Sequence, residues 1–417
     1  MTLLKNLEKY IKHLIIFPTP TNYNKYIFYP VFTTQKELID QLYRLTWYLP
    51  KRNGVIITMY YFGFELSNNS IISEKLRPEY MHTKPLNMVG IRFKKKEHIF
   101  LVLLRNIFTH GIILKWRIRQ KPILPLRVFG KILVVDHTIK DYKSDINYVS
   151  LSMKSQGCSA LNEIQKLSKN IFEKRVLDLK DKYKKTYIFG RGPSLEKSLL
   201  LDFSDGARIV CNQIVNNHDL MNIINPDIII AGDHCWNMGC SKLSDYFRRD
   251  TINWIKDKDT LLVLPIDSYQ LIINHFPELQ KNLVGIPYGA ESHNFNLLNK
   301  FNTMGSLGVF FEFLFPLACT ISNEILMLGF DGYNKNKERK NNKVPFTHYK
   351  PSEYPDEIVA TVHDSRPGYY DRSMNEFRLN YDNMFIEIIN AAIKNNIKVN
   401  TLAPSYHTAL NGRYIHD

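Results

Sequence analysis

The stretch Lys185-Thr186-Tyr187-Ile188-Phe189-Gly190-Arg191-Gly192-Pro193-Ser194-Leu195 decides the fold. It runs from a short apolar strand through a Gly-x-Gly turn into the start of a helix. Such a turn lets backbone N–H groups approach a phosphate closely, and the helix N-terminus beyond it favours negative charge. Ser194 is placed to cap that helix. Gly190, Arg191, Gly192, Pro193 and Ser194 are therefore the first candidate nucleotide-binding residues. The motif alone is weak, because strand-turn-helix units without a ligand share it.

Working outward, the chain supplies the strands a doubly wound sheet requires. Arg208 to Gln213 is a second short apolar strand with polar residues at its end, and Pro226 to Asp233 is a third. Thr260 to Pro265 and Leu283 to Pro287 read as two more, and Ser306 to Cys319 as an almost wholly apolar helix. Glu324 to Leu328 is a buried strand delivering Gly329, Phe330, Asp331, Gly332 and Tyr333; a polar helix from about Asp371 to Asn396 precedes a last strand, Ile397 to Leu402. Continuous apolar runs alternating with helical patterns indicate a parallel sheet covered on both faces. The expected fold class is α/β, a Rossmann-like, mostly parallel sheet in the C-terminal domain with a smaller basic α/β domain before it. Ligands of such sheets bind outside the carboxyl ends of the strands, which singles out Asn212, Gln213, Asp233, Asp331 and Tyr333.

The chain has 417 residues, 44% hydrophobic and 23% charged, which fits a globular protein of two domains. Its net charge of +15 is unevenly placed. Residues 1–185 hold 33 Lys/Arg against 14 Asp/Glu, and residues 186–417 hold 22 against 26, so the basic character belongs to the first part. There Ile27 to Phe32, Gly54 to Tyr60, Met88 to Phe93 and Lys131 to Asp136 are strand-like, and Gln35 to Tyr48 reads as an amphipathic helix. The expected organisation is a basic α/β domain over residues 1–160, a helical linker over 161–185 and a Rossmann-like nucleotide-binding domain over 186–417.

Arg92 to Lys131 carries eleven Lys/Arg and one acid, Glu97, interleaved with Ile112, Ile113, Leu114, Trp116 and other large apolar residues. That pattern suits either a segment lying on an anionic bilayer or a buried amphipathic helix with a solvated face. No nucleic-acid motif is present. Nor does any segment read as a membrane span or export signal, so a cytoplasmic protein, peripheral on the inner membrane, is expected. Five cysteines without paired spacing agree with a reducing compartment, and His234, Cys235 and Cys240 lack a fourth ligand at zinc spacing. Asp257-Lys258-Asp259 precedes a strand, at the wrong end of the sheet for a metal-diphosphate site, and reads as a solvated turn.

Residues after Tyr333 could carry chemistry. A polar cationic loop, Asn334 to Lys343, is followed by His348 and Tyr349, then by His363, Tyr369 and Tyr370. Long loops in compact domains are commonly functional, and this one follows a strand whose end lines the expected cleft.

Taken in order, Gly190-x-Gly192-Pro193-Ser194, Cys211-Asn212-Gln213, Ser306-Leu307-Gly308-Val309, Leu328-Gly329-Phe330-Asp331-Gly332-Tyr333 and Leu402-Ala403-Pro404-Ser405 resemble the bacterial sialyltransferases of glycosyltransferase family 42 and related surface-polysaccharide enzymes. The resemblance covers roughly residues 186–410. It implies an inverting, metal-independent transferase that needs no cofactor beyond a nucleotide-sugar donor, CMP-linked sialic acid or a related acidic sugar. The implied acceptor is a lipid-linked, lipopolysaccharide O-antigen or capsule glycan. By position, Asn212 would meet the nucleotide or donor sugar, and Ser306 and Gly308 would hold nucleotide or carboxylate oxygens. His363 best matches the family's general base, with His348 second, while Tyr333, Tyr349, Tyr369 and Tyr370 compete to stabilise the departing phosphate. Where the family has Gly-Asn-Gly-Pro-Ser, this chain has Arg191, whose planar cationic fork suits phosphate or carboxylate oxygens. The same order of motifs also resembles archaeal-type pterin pyrophosphokinases, for which Asp233 and Asp331 would supply a magnesium site. A non-catalytic nucleotide-binding scaffold is the third reading.

Overall fold

The computed structural model describes residues 24–32, 34–48, 55–61, 64–65, 91–95, 111–115, 131–135, 142–233, 237–239, 242–305, 308–332 and 374–415. The chain divides into two compact units, residues 1–157 and 158–417.

The first unit is an all-parallel five-stranded sheet with strand order β3-β2-β1-β4-β5. Its strands are β1 (Asn24–Phe32), β2 (Val55–Tyr61), β3 (Ile91–Lys95), β4 (Gly111–Lys115) and β5 (Lys131–Val135). Parallel neighbours cannot be joined by a tight hairpin, and α1 (Gln35–Tyr48) supplies the crossover from β1 to β2. Leu38, Ile39 and Leu42 of α1 are buried at helical spacing, as are Trp47 and Tyr48. Strand β4 corrects the reading of Arg92 to Lys131 as one surface or amphipathic segment. Ile112, Ile113 and Leu114 are paired in register on both sides, with β1 and with β5, so their backbone belongs to the sheet interior. Residues 96–110 and 116–130 of that stretch lie outside the described residues.

A 41-residue helix, α2 (Tyr142–Lys182), begins well before the expected Ala160. Its later turns form a wall of the second unit. Phe172 and Val176 are fully buried in that unit's core, and the buried Ser168 hydroxyl accepts a hydrogen bond from the Gly285 N–H at 3.0 Å. Arg175 reaches the Asp259 carboxylate at 3.0 Å. Asp259 is also held by Asn282, in the turn that enters a strand, so it serves the amino edge of the sheet as its position in the sequence implied.

The second unit is a seven-stranded, all-parallel sheet flanked by helices, a Rossmann-like doubly wound fold. Its strands are β6 (Lys185–Phe189), β7 (Ala207–Cys211), β8 (Ile228–Ile230), β9 (Leu261–Pro265), β10 (Leu283–Ile286), β11 (Glu324–Leu328) and β12 (Lys398–Thr401). The order is β10-β9-β8-β7-β6-β11-β12. The chain steps outward from β6 to β10, then returns to place β11 on the other side of β6, so the winding reverses between β6 and β11. Nearly every residue of β6 to β11 is buried, which explains why these strands read as continuous apolar runs rather than alternating ones.

Helices α3 (His218–Ile224), α4 (Lys242–Lys258), α5 (Ile266–His275), α6 (Phe315–Ile321) and α7 (Met374–Lys394) complete the layers. The helix expected from Ser306 to Cys319 is a continuous helical run over residues 309–321, π-helical at Phe310–Leu314 before it becomes α6. From α7, Phe385, Ile388, Ile389 and Ala392 enter the core at the i, i+3, i+4, i+7 positions of one face. Removing one of these side chains leaves a cavity that the surrounding elements cannot fill. Ile389→Ala should lower stability by about 2–5 kcal/mol in urea denaturation, and Asn390→Ala on the exposed face by less than about 0.5 kcal/mol.

Candidate functional site

The carboxyl ends of β6 and β11 meet at the reversal point, the position where an open α/β sheet binds its ligand. The two loops there are bonded to each other. Gly190 N–H donates to Leu328 O at 2.8 Å and Gly192 N–H to Gly329 O at 2.7 Å. Ser194 then donates its N–H to Asp331 Oδ1 at 3.0 Å and its hydroxyl to Asp331 Oδ2 at 2.8 Å, while Gly329 N–H donates to the Ser194 hydroxyl oxygen at 3.1 Å. The glycines are required by this approach. A Cβ on Gly190 would strike Gly329 O, one on Gly329 would strike Gly190 O, and one on Gly192 would strike the Asp331 carboxylate.

This geometry corrects the local reading of the glycine turn. The N–H groups of Gly190, Gly192 and Ser194 are spent on β11 and its loop rather than left open for a phosphate. Ser194 is not the cap either. Gly192 is the N-cap of a 3₁₀ helix, Pro193–Leu200, with Pro193 in its first turn, and the Ser194 hydroxyl points to Asp331. Asp331 itself supplies the negative charge that this helix start favours.

Beside this closed seam, a polar relay crosses the ends of β6, β7 and β8. Arg191 Nη1 donates to Gln213 Oε1 at 2.7 Å, Gln213 Nε2 to Asn237 Oδ1 at 3.3 Å, and Asn237 Nδ2 to Asn212 Oδ1 at 2.9 Å. Asn212 takes a left-handed conformation, φ 50°, at the end of β7. Asn tolerates that conformation better than other side chains, and strain of this kind gathers at binding sites. Because each group in the relay donates to the next, the terminal Asn212 amide retains its N–H groups, with no partner among the described residues. The relay therefore starts at a cationic side chain, Arg191, and ends at the neutral amide N–H groups of Asn212. Cys211 beneath it is inert, since burial pushes its thiol up to about 12 despite the nearby Arg191 charge.

The opposite end of the same edge is acidic. Tyr288, just after β10, donates its hydroxyl to Glu312 Oε2 at 3.2 Å. Burial raises that phenol well above its ordinary value, and the charges of Glu312, Asp267 and Asp233 add to the shift. Gly308 opens the π-helical turn by accepting from Phe311 and Glu312 N–H groups, and the next residue, Val309, packs against Gly232 so closely that a Cβ there would lie 2.7 Å from Val309 Cγ2. Gly308 and Asp233 are thereby brought to one rim.

A third loop, after β12, is fastened to the loop after β11. Tyr406 N–H donates to Asp331 O at 2.7 Å and the Ser405 hydroxyl to Phe330 O at 2.6 Å. These bonds deliver His407, whose Nδ1 lies 2.9 Å from Asp382 Oδ1 of α7. The ring stacks on Phe385 at 4.3 Å and 5°, and Gly332 lies close by, where a Cβ would be 3.1 Å from two imidazole carbons. Gly332 has φ +70°. Burial lowers the His407 pKa from its ordinary value, against the opposing pull of Asp382 and then Asp331.

Of the sequence-predicted residues, Gly190, Arg191, Gly192, Pro193, Ser194, Asn212, Gln213, Asp233, Gly308 and Asp331 all reach the carboxyl edge. They form three groups, the closed seam, the relay, and the rim that holds Asp233 and Gly308, rather than one cradle. Asp233 and Asp331 follow strands with β7 and β6 between them, about 14 Å apart at the usual strand spacing, so they are not brought together around one cation. Among the described residues no group of three or more His, Cys, Asp or Glu gathers as a metal ion would need. His348, His363, Tyr333, Tyr349, Tyr369, Tyr370 and Ser306 lie outside the described residues. Sequence reasoning missed Asn237, His407 and Asp382. Asn237 follows the end of β8 as Asn212 follows β7, and His407 stands two residues past the Leu402–Ser405 motif, so both were within reach of the strand-end argument.

No protein family and no curated protein matches the chain. Among solved structures, the MAf glycosyltransferase from Magnetospirillum magneticum AMB-1 is similar at 11% identity over 80% of this chain and 57% of that chain, with a TM-score of 0.24. A likeness of that degree carries no argument about the site.

The glycine contacts generate a stability contrast. Gly329→Ala must hold an alanine at φ +80° against the Gly190 carbonyl and should cost at least about 1–3 kcal/mol in urea denaturation. Gly308→Ala, where a Cβ meets nothing within 4 Å among the described residues, should change stability by less than about 0.5 kcal/mol.

Proposed function

We propose that the second unit is a glycosyltransferase domain that binds a nucleotide-activated sugar along the carboxyl edge of its sheet and transfers the sugar to a glycan, with inversion and without a metal ion. The observation that carries this reading is the relay of Arg191, Gln213, Asn237 and Asn212, which presents hydrogen-bond donors beside the reversal point. Anionic phosphate or carboxylate oxygens suit the Arg191 end, and the carboxylates around Tyr288 suit sugar hydroxyls at the other. The resemblance of the strand-end motifs to family 42 enzymes favours a CMP-linked sialic or related acidic sugar. In such a reaction a histidine removes the acceptor proton, and fixed donors stabilise the departing phosphate in place of a cation.

The first unit is proposed to meet the acceptor, a lipid-linked, lipopolysaccharide or capsule glycan, from the cytoplasmic side of the inner membrane. Supporting this are the 25 Lys/Arg against 10 Asp/Glu of residues 1–157, and a second parallel sheet that reverses between β1 and β4. Among the described residues no helix is long and apolar enough to cross a membrane, so on this reading contact with the bilayer is peripheral.

The test is a thermal-shift panel of CMP, CDP, UDP, GDP, ATP and CMP-sialic acid, each with and without magnesium. CMP or CMP-sialic acid should stabilise the protein without magnesium, by about 2.7 kcal/mol at a hundredfold excess over Kd, and Arg191→Ala should reduce that gain. Stabilisation only by magnesium-ATP would make the enzyme a pyrophosphokinase instead. A response to no nucleotide would leave the domain without a donor and defeat the proposal.

A further inference from the structure

His407 has the arrangement of a general base. Its Nδ1 is engaged by Asp382, its ring is stacked on Phe385 with Gly332 close by, and its Nε2 has no hydrogen-bond partner among the described residues. The imidazole is 11% exposed, so it is sheltered without being sealed. It stands at the carboxyl edge of the sheet, where the loops after β11 and β12 are bonded together, one residue past the Tyr406 N–H that is tied to Asp331. Tyr381 of α7 lies beside it, its ring 6.0 Å from His407, and its phenol is raised above the ordinary value by desolvation, with the Asp382 charge adding to the shift.

We infer that His407, held in its Nδ1–H tautomer by Asp382, removes the proton from the acceptor hydroxyl, in place of His348 and His363. The inference rests on the transferase reading. The acceptor oxygen forms its bond to the anomeric carbon as its proton moves to Nε2 of His407. The bond from the anomeric carbon to the donor phosphate oxygen breaks, and the phosphate leaves with the electron pair. The resulting imidazolium is stabilised by the Asp382 carboxylate at Nδ1–H. Asp382 is thus a positioning residue, and His407 is the group that meets the substrate.

Among the described residues, the charged and titratable groups facing the ring are Asp382 and Tyr381 from α7 and Asp331 from the loop after β11. Burial holds the imidazole neutral below its ordinary pKa of about 6.5, so turnover should be constant above that pH and fall as acid protonates Nε2. Asp382→Asn removes the carboxylate that opposes this lowering. The acid limb of the kcat profile should therefore move to still lower pH. In that variant the amide can turn its NH₂ toward Nδ1, which would place the proton on Nε2 and block the base.

The experiment measures nucleotide release from CMP-sialic acid, and from UDP- and GDP-sugars, by the full chain with water as acceptor. Its variants are His407→Ala, Asp382→Asn, His363→Ala and His348→Ala, each checked for folding by circular dichroism. A loss of about a hundredfold or more in kcat is expected for His407→Ala and Asp382→Asn with donor KM unchanged, and near-native turnover for the two loop variants. If His407→Ala unfolds, Asp382→Asn decides by its turnover and its displaced acid limb. Turnover within threefold of native in either folded variant overturns the inference and leaves the transferase standing. So does a hundredfold loss confined to His363→Ala or His348→Ala. Absence of nucleotide release from the native protein with every donor overturns the transferase reading and the role of His407 with it. Independently of any donor, ¹⁵N NMR should show the proton of neutral His407 on Nδ1; a proton on Nε2 overturns the inference.

Discussion

The contact on which the rest of the second unit depends is the approach of two backbones at the ends of β6 and β11. Gly190 and Gly329 face each other with no space for a Cβ on either, and the Gly192 and Ser194 N–H groups pass directly to Gly329 O and Asp331. Parallel strands in register leave their terminal N–H and C=O groups unpaired where the chain turns away, and such groups must find partners when buried. Here the two loops satisfy each other. One consequence is that the Asp331 carboxylate is held by two donors of Ser194, while its carbonyl takes the loop after β12 through Tyr406. The seam thereby orders three loops in series, and His407 is the last side chain positioned by it.

The seam also separates tasks along the carboxyl edge. On its β7 side the relay of amides ends in Asn212, whose strained backbone turns the side chain toward Asn237. On its β12 side an aromatic column, His407 on Phe385 on Phe310, carries the fold's core up to the imidazole, with centroid distances of 4.3 Å and 4.6 Å. Stacking of that kind restrains a ring without titrating it, and the carboxylate of Asp382 lies 2.9 Å from Nδ1. The amide relay and the imidazole thus stand at the ends of different strands of one sheet.

The strands of the second unit were legible because each is buried on both faces, so their apolar runs stand out against the helices between them. Even so, the glycine turn was read through the wrong cause. Glycines that permit close approach of a phosphate and glycines that permit close approach of a neighbouring backbone leave the same letters at positions 190 and 192. Strand β4 was missed for a related reason. Gly111–Lys115 is a four-residue apolar run before a lysine, too short for periodicity to distinguish strand from helix, and its cationic surroundings pointed to a surface. The helix α2 was entered late because its first turns carry little amphipathic pattern.

By itself, then, the order of residues determined the class of the fold, the parallel sheet of the second unit, the edge at which its polar residues collect, and the uneven charge of the chain. These follow from local quantities, burial and spacing, that each short segment expresses independently. Only the tertiary structure decided that β11 lies beside β6, that Asp331 closes the turn 137 residues before it, and that His407 meets Asp382. Those outcomes depend on which strand crosses back over the sheet, a choice made by the packing of whole layers and invisible in any one segment.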